Sequence, residues 1–157
     1  MLGRFTKFVF LAAALSLGLF AQLDPNPSAI TRLKQTRVSI IEHGMPAIPF
    51  ERWFAETAGA NAEISYESND CGERSGTPDE KGKSFPLCVL ARAQTRDGWQ
   101  MELTFTVGTY VVLPESKPSL KGYPQLFSAY IRKNDLLISD ARTLAGAAAV
   151  WASRHKP

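Results

Sequence analysis

The side chains of this chain that carry chemistry beyond packing are two histidines, two cysteines and a scatter of charged residues in glycine- and proline-rich segments. His43 follows Glu42 and precedes Gly44, and as a general base it would need a polar cleft and an orienting partner. Asp70 and Glu73 flank Cys71, with Glu67 close by, and offer oxygen donors for a cation or a carboxylate pair for acid–base work. Their spacing is loose, without the dense alternation of oxygen side chains and the closing glutamate of a calcium loop, and a charged loop kept soluble accounts for them. His155 stands between Arg154 and Lys156, where positive charge complements a helix C-terminus. No Gly-rich phosphate loop, serine nucleophile elbow or metalloprotease helix occurs in the chain. No catalytic set, metal or cofactor is therefore expected, and His43, Asp70 and Glu73 come nearest to one.

Cys71 and Cys88 have sixteen residues between them and no intervening histidine, too few ligands for a metal centre, so a single structural disulfide is expected. Between them, residues 69–84 are rich in Gly, Asp, Glu and Lys and nearly devoid of apolar side chains. A second segment, Leu113 to Pro124, gathers three prolines, Gly122, Lys117 and Lys121, and is expected to be irregular throughout. Solvent-facing loops of this kind can be recognition surfaces, which makes Arg74, Lys83, Lys117 and Lys121 the candidate binding residues.

The compartment follows from the amino terminus. Arg4 and Lys7 precede an apolar run from Phe8 to Ala21, and the small Ala21 stands before Gln22: the three parts of a secretory leader, with residues 1–21 as signal peptide. The run is shorter than the roughly 20 apolar residues of a membrane span, so no stable span after cleavage is expected, and the location is secreted or periplasmic. An exported setting permits the disulfide. Removing Arg4 and Lys7 from eighteen basic residues leaves sixteen against fifteen acidic ones, a net of +1, which gives no reason to invoke nucleic acid.

The remaining residues, about 136 from Gln22, match one ordinary domain, expected over 29–157 after a tether at 22–28 that carries Pro25 and Pro27. Ile30 and Leu33 suit a short helix capped by Ser28, and the β-branched Val38, Ile40 and Ile41 favour a strand after it; a single helix from Ser28 to His43 is the rival. Phe50, Trp53 and Phe54 recur at helical spacing between Pro49 and Gly59, which reads as an amphipathic helix with an aromatic core stripe. Residues 62–67 alternate apolar and polar, 87–93 form a more apolar strand, and Trp99 to Val107 alternate without a break, with an Asp97-Gly98 hairpin signal between the last two. Leu126 to Ile131 resumes a strand, Asn134 and Asp135 suggest a turn, Leu136 to Ile138 a brief return strand, and Ser139 or Asp140 a cap for a last helix carrying Leu144, Ala148 and Trp151.

The fold class expected is α+β: a curved antiparallel sheet of four to five strands on an aromatic helix, with a C-terminal helix. A strand, a helix and then antiparallel strands in this order resemble a cystatin-like roll, an analogy of element order alone. The expected function is an exported non-enzymatic binding or inhibitory module for a protein or small ligand. Two alternatives stand beside it. A small hydrolase or ligand carrier needs a cavity between helix and sheet, against which a filled interior around Trp53, Phe54, Leu103 and Phe105 would count. A structural subunit of an envelope assembly needs an exposed apolar patch.

Overall fold

The computed structural model describes residues 26–69, 71, 84–111 and 119–154. Residues 1–25, which include the expected leader, and residues 70, 72–83, 112–118 and 155–157 lie outside these.

Helix α1 (Asn26–Gln35) begins within the expected tether, two residues before Ser28, which therefore lies inside the first turn and is not its cap. Proline is tolerated in a first helical turn because the amide it lacks has no intrahelical acceptor there. The expected strand at Val38–Ile41 is a correction: these residues form one helical turn, α2. Arg37 and Pro49 make an isolated bridge, Val38 donates its amide to the Ile48 carbonyl at 2.9 Å and Phe50 to that of Thr36 at 2.8 Å. This closes residues 38–49 into a loop whose local pairing overrides β-propensity. The cystatin-like analogy thus loses its leading strand, while the α+β class holds.

Helix α3 (Phe50–Ala58) follows Pro49, ends at Gly59 with φ 88°, and buries Phe50, Trp53, Phe54 and Ala58, the expected aromatic face. Strands β1 (Glu63–Asn69), β2 (Ser84–Gln94), β3 (Trp99–Val111), β4 (Ser119–Lys121), β5 (Gln125–Lys133) and β6 (Leu136–Ala141) then form one antiparallel sheet. The order is β1-β2-β3-β5-β6, with the three-residue β4 on the far part of β3. Strand β4 corrects the expectation that residues 113–124 are irregular throughout: Lys121 pairs with Thr109. Ser139 and Asp140 belong to β6 and cap nothing. The last helix, α4 (Leu144–Arg154), opens instead under Thr143, whose hydroxyl accepts from the Gly146 amide at 2.9 Å, and under Glu42, whose carboxylate accepts from the amides of Leu144 and, at 3.4 Å, Ala145. A carboxylate there meets both the orphan amides and the positive end of the helix dipole.

One face of the sheet carries Ala91, Ala93, Met101, Leu103, Phe105, Ala129 and Ile131, all fully buried with Leu33, Val38 and the α3 aromatics. Phe50 is the hub: it stacks on Phe54 at 5.4 Å and meets Phe105 edge-on at 4.8 Å between ring centroids. At the other end of this layer Trp151 donates its indole N–H to the Ala58 carbonyl at 3.2 Å. Bulges place Val107, Phe127 and Ile138 as extra residues in β3, β5 and β6. Such insertions bend a strand and re-aim the residue at the bulge.

Two hairpin tips are stitched together. The β2–β3 turn uses Gly98 at φ 92°, and the β5–β6 turn places both Asn134 (φ 47°) and Asp135 (φ 66°) in the left-handed region, the pattern of a two-residue type I′ turn. The Asn134 amide donates to the Gly98 carbonyl at 3.0 Å, and Lys133 reaches the Asp97 carboxylate at 3.6 Å. A Cβ on Gly98 would lie 1.9 Å from the Asn134 Oδ1.

Candidate binding surface

The disulfide joins Cys71 to Cys88, as the cysteine count implied. It sits just beyond the last β1–β2 pair, Asn69 with Cys88, so it clamps the base of that hairpin, and Cys88 is 3% exposed. Cys71 adopts φ 61°, and its amide donates to the Asn69 Oδ1 at 2.9 Å, a local side-chain turn that holds the chain in place as it leaves the strand.

Of the candidate catalytic and binding residues named from the sequence, His43 and Lys121 lie among the described residues. His43 is exposed in the loop after α2, while its neighbour Glu42 is engaged as the remote cap of α4. Lys121 lies in β4. Asp70, Glu73, Arg74, Lys83, Lys117 and His155 fall outside the described residues. Among the described residues no group of three or more His, Cys, Asp or Glu side chains could hold a metal ion. A cavity of about 220 Å³ opens where α3 ends against α4, lined by Thr57 to Asn61, Trp151 and Ala152. None of these side chains titrates near neutral pH, so the cavity offers no acid–base pair.

Register brings other residues together on the sheet face turned away from the helices. Ser65, Arg92, Glu102, Tyr130 and Asp140 form one row across the strands. Glu102 is the centre of it: Arg132 Nε lies 3.1 Å and Arg92 Nη2 3.8 Å from its two oxygens, and the Arg132 guanidinium sits 5.4 Å from the Tyr130 ring. A carboxylate shared between two guanidiniums is committed as an acceptor, which suits a structural cross-strand network. Sequence reading missed this network, because opposition across strands is a property of register.

The exposed apolar groups lie along the last two strands of the sheet, in two places. Tyr123 and Phe127, 73% and 74% exposed, stand out from the stretch entering β5 and from its bulge. Leu136, Leu137 and Ile138, at 67%, 48% and 36%, run consecutively along β6. Strand β6 ends the sheet order, so among the described residues it is paired on one side only. A backbone edge with free amides and carbonyls, beside three neighbouring aliphatic side chains, is chemically suited to accept another strand. The signal was present in the sequence as an apolar run without alternation directly after a turn.

Comparison with family models, curated proteins and solved structures gives no match, so no relative's chemistry carries over to these residues. No helix among the described residues is long and apolar enough to cross a membrane. The disulfide is compatible with an oxidising compartment.

Proposed function

We propose that this chain is an exported, non-enzymatic binding module that recognises a protein partner through its outer surface. The observation that carries the reading is the contrast between a filled interior and an apolar margin. Trp53, Phe54, Leu103 and Phe105 occupy the space between helices and sheet, where a hydrolase or carrier would need a cavity. The exposed aromatic and aliphatic groups of β5 and β6 are of the kind that anchor protein interfaces. Export is supported by the leader pattern of residues 1–21 and by the disulfide, and the setting proposed is secreted or periplasmic.

The test is affinity capture with the purified exported chain from the secreted or envelope fraction of its source, alongside intact-mass measurement. The expected mass is that of a chain starting at Gln22 with one disulfide. A captured protein should be lost on Leu137→Asp or Phe127→Ala. A parallel variant substituting Arg74, Lys83, Lys117 and Lys121 asks whether the two loop segments share the contact. Retention of every partner by all of these variants would overturn surface recognition, as would a small molecule that co-purifies in the interior.

A further inference from the structure

The β6 edge accepts a second copy of this chain: we infer that two β6 strands pair antiparallel about a two-fold axis and join their sheets. The inference rests on the surface-binding reading above and names one partner for it. Its first ground is the difference between the two sheet edges. Strand β1, at the other end of the order, exposes Glu63, Ser65 and Glu67 at alternate positions, so self-pairing would bring carboxylates together. Pairing of β6 with β1 is head-to-tail, leaves one edge of every copy unpaired and would propagate without closing. Only β6 with β6 uses the apolar edge of both copies and closes at two.

The second ground is charge complementarity. Full overlap of the two β6 strands sets Leu136 opposite the partner's Ala141, and Leu137 opposite the partner's Asp140. Faces match in this register because Leu136 and Ala141 lie opposite Lys133 and Ala129 on the helix side, whereas Leu137 and Asp140 lie opposite Arg132 and Tyr130 on the other. The bulge at Ile138 supplies the one-residue shift that makes this match possible. One step beyond each strand end, exposed Asp135 of one copy stands opposite exposed Arg142 of the other, and symmetry makes the pair twice.

Sedimentation equilibrium on the purified exported chain, disulfide intact, provides the test. A concentration-dependent dimer is expected, and Leu137→Asp should render it monomeric. Asp135→Arg and Arg142→Asp should each weaken dimerisation about tenfold, since each turns two attractive pairs into repulsive ones. An equimolar mixture of those two variants should recover the original affinity, because the mixed dimer restores opposite charges at both ends. If Leu137→Asp fails to fold by circular dichroism, the charge variants decide alone, as both positions are exposed turn or loop residues. A wild-type chain that stays monomeric, or a mixture no tighter than its components, overturns the inference. A monomer that still captures another protein through Leu137 would leave the binding-module reading standing, and a dimer that captures nothing would do the reverse.

Discussion

The two edges of the sheet are protected by different means. At β1 the outward residues are Glu63, Ser65, Glu67 and Asn69, while Ile64 and Tyr66 turn inward onto the core. Lys34 of α1 lies 4.7 Å from the Tyr66 ring and 3.5 Å from Glu51 of α3, so both helices are tied down at this margin, and the disulfide locks β1 to β2 beyond the ladder. At β6 the exposed residues are Leu136, Leu137 and Ile138 with a single Asp140, and support comes from the stitched hairpin tips and from Glu42 holding the helix that follows. An edge that is charged and crosslinked is closed to other chains, whereas an edge supported only from within its own layer keeps its backbone groups available. The difference teaches that openness at β6 is particular to one side of the molecule and is not a general weakness of the fold.

Removing the crosslink should have the largest effect. The Cys71→Ala, Cys88→Ala double variant is expected to lose about 3 kcal/mol in denaturant unfolding, through the freed unfolded chain. Hydrogen exchange should then rise along β1 and not along β6; equal fraying at both edges would erase the contrast.

Gly98→Ala should cost about 1–2 kcal/mol, because alanine at positive φ is strained and its methyl displaces the Asn134 side chain. Exchange should quicken at both hairpin tips and leave the disulfide end unchanged. Glu42→Ala should cost about 1 kcal/mol by stripping two orphan amides of α4 of their acceptor, read as a lower melting temperature with early loss of protection in α4.

The paired change Glu63→Thr and Glu67→Thr should move stability by less than about 0.5 kcal/mol, since both residues are exposed. Light scattering should nonetheless show assemblies larger than a dimer, because the second edge has lost its like charges. A chain that remains no larger than wild type would mean that the β1 carboxylates do not guard that edge.

The smallest effects are those of pH. Asp97 is held below the usual carboxylate range, first by the Thr95 hydroxyl at 2.5 Å and then by Lys133. Its folded value is depressed, so its contribution is present above the unfolded value of about 3.9 and is lost as pH falls. Thr95→Val should move the Asp97 titration upward in an NMR series. Tyr66 runs the other way: burial, and then Glu51, raise its phenol above the ordinary value. Its contribution is intact below the unfolded value of about 10 and declines as pH rises beyond it.

Local patterns made much of the fold legible. The alternation of β1 and β3, the aromatic face of α3 with its Gly59 stop, and the Asp97-Gly98 and Asn134-Asp135 turns all appear where periodicity and turn chemistry put them. Local signals failed where a distant partner decided. Val38–Ile41 became helical because residues 36–38 bond to residues 48–50. Ser139 and Asp140 resemble helix caps in isolation, but β5 supplies a ladder that extends β6 through them. The candidate surface was less legible: the loop lysines and Arg74 stood out by composition, while the Glu102 network and the β6 edge depend on which strands are neighbours.

By itself the sequence determined the leader pattern, the pairing of its two cysteines, the α+β class and the residues of the aromatic core, because each follows from composition or from spacing within one element. Tertiary structure alone decided that Glu42 caps a helix 102 residues away, that Arg92, Glu102 and Arg132 meet, and that, among the described residues, Leu136 to Ile138 lie on one edge strand of the sheet while Glu63 and Glu67 line the opposite one. Edge and neighbour are properties of strand order, and strand order is set by burying one face of the whole sheet at once.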